Sequence, residues 1–405
     1  MKKLLIVMGI FCITGVFADY RKRGYEEESP TCSSSKSPVC CECYMPNYYD
    51  LQCASGVFFY GDFLYWFANE DNLAPCVTAV GTNFILEPGV VEDLFLNPTS
   101  VNHLGTKWDP GFRAAWGINF EDDGFDVEVN YTWFQNKKHK TFSVPGFGTS
   151  INFPFFPDVG QMALVDPWIN IPFSTLPTTG AGFGPLYFQK VNAFWKLKFQ
   201  QIDLQLGRKF WLGKRMAMRA YTGARGVLLT TRFNNVASNV SALSLISYQF
   251  SDKFKNRIWG GGILVGIQPE WHFCQNFILF SNVDASLLWG KLKIRKKEEY
   301  NFFASGALLN TNFNTLRSNI SKMQAIWDLA LGLRWEGTWC NRIRTSLDIA
   351  WEEHILLDTN NRFKNFSQAG LTSGVLTAVN GFESFSEEEG NLMMGGAVVR
   401  FRVDF

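Results

Sequence analysis

The sequence predicts an all-β fold: a transmembrane, antiparallel, up-and-down β-barrel of about ten strands (ten to twelve), with short periplasmic turns and long extracellular loops. Three features carry that prediction. Apolar and polar residues alternate with a period of two in segment after segment, as in a strand with two unlike faces. Connections between those segments alternate short and long, the pattern of outer-membrane barrels. The chain also closes on a strand, Leu392 to Phe405. There Gly395, Ala397, Val399, Phe401, Val403 and Phe405 share one face, against Gly396, Val398, Arg400, Arg402 and Asp404. A bare apolar strand at a terminus frays unless something pins it; in a barrel it closes against the first strand.

Composition agrees. Of 405 residues, 46% are hydrophobic, yet mean hydropathy is −0.05, so apolar residues are interleaved rather than collected. No apolar run reaches the length of a spanning helix. The 38 Phe and 14 Trp suit a surface that touches lipid and carries aromatic rims. Without Lys2 and Lys3, 36 basic residues stand against 37 acidic ones. That balance excludes the basic excess of a nucleic-acid binder.

Residues 1–18 read as a signal peptide: Lys2-Lys3, an apolar Leu4 to Phe17, and Val16-Phe17-Ala18 before Asp19. Residues 19–56 are polar and turn-rich and read as a cysteine-rich periplasmic arm; residues 57–405 form the barrel. Cys32, Cys40, Cys41, Cys43, Cys53 and Cys76 crowd the early mature chain, and Cys274 and Cys340 fall in later turns. In an exported protein they read as disulfide candidates. A metal knot at Cys40-Cys41-x-Cys43 lacks the paired spacing of zinc sites, so no metal and no cofactor is expected.

The first strand runs from Val57 to Phe67, and Asp62 argues that its even positions point inward. Phe112, Ala114, Trp116, Ile118 and Phe120 oppose Arg113, Gly117 and Asn119. The turn Glu121-Asp122-Asp123-Gly124 leads to Phe125, Val127, Val129, Tyr131 and Trp133, which alternate with Asp126, Glu128, Asn130 and Thr132. Next, Ala193, Trp195, Leu197 and Phe199 alternate with Lys196, Lys198 and Gln200. The apolar parity then flips to Ile202, Leu204 and Leu206, which predicts a β-bulge at Gln200-Gln201 or a two-residue turn. Met216, Met218, Ala220, Thr222 and Ala224 face away from Arg219, Tyr221 and Arg225. Two further hairpins follow. One runs from Ile263 to Trp289, with Asn282 and Asp284 on its polar face. The other runs from Trp327 to Glu352, with Asp328, Arg334, Arg344, Asp348 and Glu352 there. Short turns thus fall near 121–124, 211–214, 273–276 and 337–341. Long connections are expected at 68–111, 135–189, 230–257, 291–322 and 356–390. Residues 143–187, rich in Pro, are too long for an idle linker and could fold over the mouth or dip inside. Arg295, Lys296 and Lys297, with the acids after them, read as a solvated rim.

Several short motifs, in order, resemble one family. They are Gly61-Asp62-Phe63-Leu64-Tyr65-Trp66 with Asn69-Glu70-Asp71, Asp109-Pro110-Gly111-Phe112-Arg113, and Asp122-Asp123-Gly124-Phe125-Asp126. Asp203-Leu204-Gln205-Leu206-Gly207-Arg208-Lys209-Phe210, the strand from Arg219 to Gly226, and Arg400-Phe401-Arg402-Val403-Asp404-Phe405 continue the series. Together they are similar to the pore-forming major outer membrane proteins of Legionella and chlamydia-like intracellular bacteria. The terminal Phe405 resembles the insertion signal of outer-membrane proteins. The arm is more like chlamydial envelope proteins cross-linked through cysteine. The resemblance implies a place in the bacterial outer membrane and passive transport of small solutes or ions.

The inward charges expected to line a pore are Arg113, Asp126, Glu128, Lys196, Arg219, Arg225, Asp284, Asp328, Arg334, Arg344, Asp348, Arg400 and Arg402, together with Asp203 and Glu352. They either set ion preference or pair with each other and fill the narrow lumen of a ten-stranded barrel. The partners expected are the lipid bilayer, small solutes or ions, and neighbouring envelope proteins joined through disulfides; a homo-oligomer stays open. The alternative function is a disulfide-cross-linked structural or adhesive barrel. A barrel hydrolase is the remote one: no catalytic set is predicted, and His354 beside Glu352-Glu353 reads as exposed and solvated.

Overall fold

The computed structural model describes residues 56–84, 93–120, 125–145, 162–167, 187–240, 246–274, 276–304, 307–339, 343–368 and 382–405. The signal peptide, the arm with Cys32, Cys40, Cys41, Cys43 and Cys53, the turn 121–124, most of the 143–187 segment and Cys340 lie outside the described residues. The strands are β1 (Val57–Glu70), β2 (Cys76–Phe84), β3 (Asp93–Asn102), β4 (Trp108–Asn119), β5 (Phe125–Ser143), β6 (Met162–Val165) and β7 (Tyr187–Phe188). They continue with β8 (Lys190–Trp211), β9 (Met216–Val240), β10 (Ile246–Cys274), β11 (Phe277–Ala304), β12 (Ala307–Trp339), β13 (Ile343–Gln368) and β14 (Phe382–Asp404). Ten of them close a barrel in the order β1-β14-β13-β12-β11-β10-β9-β8-β5-β4. Every described barrel pair is antiparallel, and β14 meets β1 from Phe58↔Asp404 to Glu70↔Leu392.

The predicted faces fall where the alternation puts them. Phe58, Tyr60, Asp62, Leu64 and Trp66 of β1 are buried inward, while Phe59, Phe63 and Tyr65 are exposed outward. Ile263, Val265, Leu329, Leu331, Leu333 and Phe401 are likewise exposed. A continuous apolar belt of that size is stable only against lipid.

Four expectations change. First, β8 has no bulge at Gln200-Gln201: its register to β5 and β9 is unbroken. Val191, Ala193, Trp195, Leu197 and Phe199 point inward, as do Gln201, Asp203 and Gln205 after them. The parity of the backbone never flips; the surroundings do. Near Asp203 the outside is lipid and the inside polar, whereas near Trp195 the outside is polar and the inside a packed core. Second, Lys196 therefore faces outward, beside Lys137 and Arg232, and lines no lumen. Third, the connections expected at 230–257, 291–322 and 356–390 are mostly strand. β12 alone has 33 residues, against about 9–11 needed to cross a bilayer. Fourth, within the expected rim only Arg295 and Lys297 are exposed; Lys296 and Glu298 point inward and are buried.

Residues 68–111, expected as one long connection, hold the antiparallel pair β2 and β3, which lies in a separate sheet ordered β3-β2-β6-β7. One hydrophobic core joins Cys76, Leu164 and Phe188 of that sheet to Trp66, Trp195, Phe250 and Tyr300 of the barrel wall. Phe188 meets Phe250 edge-on at 5.6 Å, and the Asn235 amide donates to the Pro75 carbonyl at 2.7 Å. The small sheet thus sits inside the barrel's long end. Cys76, a disulfide candidate by sequence, is a free and fully buried thiol.

Trp195 and Lys196 provide a direct check. Trp195→Ala is expected to cost about 3–5 kcal/mol, and Lys196→Ala less than about 0.5 kcal/mol, read from thermal unfolding in detergent; similar costs for both would restore the bulge. Burial, with Asp166 beside it, pushes the Cys76 thiol up to about 12. Maleimide at neutral pH should leave Cys76 unlabelled in the folded protein and label it after denaturation, as read by peptide mass mapping.

Candidate functional site

The polar interior begins below Trp66, whose ring lies 4.6 Å from that of His354. Inward parity on every barrel strand brings charged side chains into a lumen too narrow to keep them apart. The sequence separates them widely; closure makes them partners.

One connected chain of charges crosses the lumen. Arg400 donates to both oxygens of Asp62, at 2.8 and 2.9 Å. Arg113 donates to Asp62 at 2.9 Å and forks onto Glu352 at 3.0 and 2.8 Å. His354 stands 3.5 Å from Glu352 and 2.7 Å from Asp328. Asp328 accepts from Arg225 at 2.5 Å, and Arg225 also reaches Asp203 at 2.9 Å and Asp284 at 3.2 Å. Tyr221 closes the chain by donating to Asp284 at 3.0 Å. Arg225 on β9 and Asp328 on β12 are separated by two strands in the wall, so their contact spans the interior.

A second set lies toward the short turns. Arg334 pairs with Asp348 at 3.0 Å and with Glu270 at 2.9 Å, and Lys209 reaches Glu270 at 2.6 Å. Arg219 is ion-paired to Asp126, Arg344 to Glu336, and Arg402 to Asp404 at 2.6 Å. Tyr60 donates to Glu128 at 2.5 Å. Glycine makes room where guanidinium and phenol groups lie flat on a neighbouring strand. A Cβ on Gly207 would stand 2.6 Å from the Arg219 guanidinium, and one on Gly266 would stand 2.5 Å from the Tyr221 hydroxyl.

Between these pairs lies a cavity of about 80 Å³, lined by Tyr60, Arg113, Glu128, Arg225, Asp284 and His354 among others. That is room for a few waters. Beyond it, toward the long end, lies the apolar core.

Of the thirteen residues expected to line a pore, only Lys196 is elsewhere. The lumen also uses Lys209, Tyr221, Glu270, Glu336 and His354. Inward parity marks each of them in the sequence; Lys209 and Tyr221 also fall within the family-like motifs, whereas Glu270, Glu336 and His354 do not. His354, expected to be exposed, is 7% exposed and held between Asp328 and Glu352: its strand runs far past the membrane, so a position near the expected rim lies deep inside. Among the described residues, no three His, Cys, Asp or Glu side chains are placed to hold a metal ion.

Arg225 is the hub, so its loss should be felt. Arg225→Met leaves Asp203, Asp284 and Asp328 without their shared cation, and about 3–5 kcal/mol of destabilisation is expected. Adding Asp328→Leu and Asp203→Leu should recover a large part of it; thermal unfolding of the single and triple variants measures both.

A family model described as the Legionella pneumophila major outer membrane protein precursor matches residues 57–396. No curated protein matches the chain. Among solved structures, the chain is similar to the outer membrane protease OmpT from Escherichia coli, with 11% identity, 87% of this chain and 98% of that one covered, and a TM-score of 0.36. It is also similar to the TodX deltaS2S3 mutant monoaromatic hydrocarbon channel, with 9% identity, 86% and 91% covered, and a TM-score of 0.30. For a Pseudomonas aeruginosa FadL homologue the values are 7%, 87% and 90%, and 0.22. With its closed antiparallel barrel, its apolar belt and a family match across nearly the whole barrel, the chain belongs to the Legionella pneumophila major outer membrane protein family and is a β-barrel protein of the bacterial outer membrane.

Proposed function

We propose that the barrel is a narrow channel for passive diffusion of ions and small solutes across the outer membrane. The observation that supports this reading is the inner face at membrane depth. It is charged and polar on strands all round the barrel, and it encloses a polar cavity where a purely structural barrel would gain more from dry packing. Movement through it runs between ion pairs such as Arg225–Asp328 and Arg113–Glu352. Such a path favours water and small ions and selects against larger solutes. The proposal contains no catalytic step: His354 is buried beneath Trp66 and not open to a substrate at the rim.

The occlusion of the same lumen favours a second reading. An interior bridged by ion pairs, with a packed core beyond, suits an envelope barrel with a structural or adhesive role, joined to neighbours through the cysteines of the arm.

Planar-bilayer recording of the refolded protein, with and without reductant, separates the two. The channel reading expects small, discrete conductance steps. It also expects larger steps from Arg225→Ser/Asp328→Ser, which removes the central bridge. Silence from both proteins, when correctly folded, would leave the structural reading.

A further inference from the structure

The outward face above the lipid belt carries a feature that the lumen does not explain. Lys137, Lys196, Arg232, Lys255, Arg295 and Arg317 are consecutive cross-strand partners on β5, β8, β9, β10, β11 and β12. Neighbouring strands lie about 4.8 Å apart, so six cations stand side by side across more than half of the wall. All six share the outward parity, with Lys196 and Lys255 half-buried and the other four exposed. Among the described residues no carboxylate is ion-paired to any of them, and none has another side-chain partner. Lys198, Arg257 and Lys293 thicken the row on the membrane side.

Like charges directly opposite one another on a sheet destabilise it. A merely solvated surface mixes both signs. Here one sign fills a whole row, so a bound anion is needed to offset the repulsion. Position selects the anion. On the same face, Arg257 directly precedes Trp259 in the outward alternation, Lys291 directly follows Trp289, and Lys137 lies a short way beyond Trp133. Trp marks the level of the lipid headgroups, and cations just beyond it meet headgroup phosphate.

We propose that this row is a binding belt for phosphomonoester-bearing lipids of the outer leaflet. Arg295 and Arg317 can fork onto phosphate oxygens, and Lys196 and Lys255 supply point charges between them. The belt is independent of whether the lumen conducts.

The test uses the full chain reconstituted in phosphatidylcholine nanodiscs, with or without phosphatidic acid as the phosphomonoester probe. Lipid retained after detergent extraction is counted by native mass spectrometry, and thermal unfolding is followed in parallel. The wild type should retain phosphatidic acid over phosphatidylcholine and unfold at a higher temperature in its presence. Each cation near the surface contributes about 1 kcal/mol, about fivefold in affinity. Lys196→Gln/Arg232→Gln and Lys255→Gln/Arg295→Gln should therefore each lose about 30-fold in phosphatidic acid binding. Lys190→Gln/Lys214→Gln, outside the belt, should lose little. These outward side chains pack against no core, so the variants should fold; unfolding in phosphatidylcholine alone verifies that. Inorganic phosphate should fail to compete at equal concentration, because it lacks the acyl chains that place it at the belt. Equal retention by wild type and both double variants would overturn the proposal. So would row-dependent binding of a soluble heparin fragment without any preference for phosphatidic acid, which would make the row a site for soluble polyanions.

Discussion

Pairing of β14 with β1 is the contact on which the rest of the molecule depends. In hydrocarbon an unpaired backbone N–H or C=O has no water to turn to, so a sheet with a free edge cannot span a bilayer. The register from Phe58↔Asp404 to Glu70↔Leu392 removes that edge, and the Phe405 amide extends it to the Val57 carbonyl at 3.0 Å. Side chains reinforce the seam inside. Arg400 grips Asp62 with two hydrogen bonds and lies over the Tyr60 ring at 4.1 Å. Outside, Phe59 and Phe405 meet edge-on at 6.4 Å.

Closing ten strands sets the width of the lumen, and width decides the chemistry. Residues on strands that are not neighbours in the wall, such as Arg113 with Glu352 and Arg225 with Asp328, come within ion-pair distance. A buried charge is tolerated only when it is paired, so the residues that make the interior polar are the ones that cross it. Lining and obstruction are therefore the same side chains. Any conduction has to pass between pairs whose partners hold each other in place.

Along its length each strand also passes through different surroundings. β8 shows this best. From Ile202 to Leu206 its outward residues meet lipid while Asp203 meets Arg225 inside. Farther along, Lys196 and Lys198 point to the outside while Trp195 and Leu197 are sealed in the core with the small sheet. The long strands thus raise a wall of packed sheet above the membrane, capped inside by β2, β3, β6 and β7, and its outer surface carries the basic row.

The alternation of residue types by itself determined the fold class, the ten barrel strands and the face on which twelve of the thirteen expected lining residues sit. Local side-chain chemistry suffices there, because water and lipid on opposite sides of a wall write a period of two into the chain. The family resemblance rests on short motifs in those same strands. Lys196, the bulge that is absent, and the strand extensions beyond the membrane were not legible. The residues that signal inside and outside exchange roles once the outer surroundings change from lipid to headgroups and water, and alternation alone does not mark that level. Nor does it pair Arg225 with Asp203, Asp284 and Asp328, or seat His354 between Asp328 and Glu352. Those partnerships span up to 103 residues of chain, and only the circumference of the closed barrel brings them together.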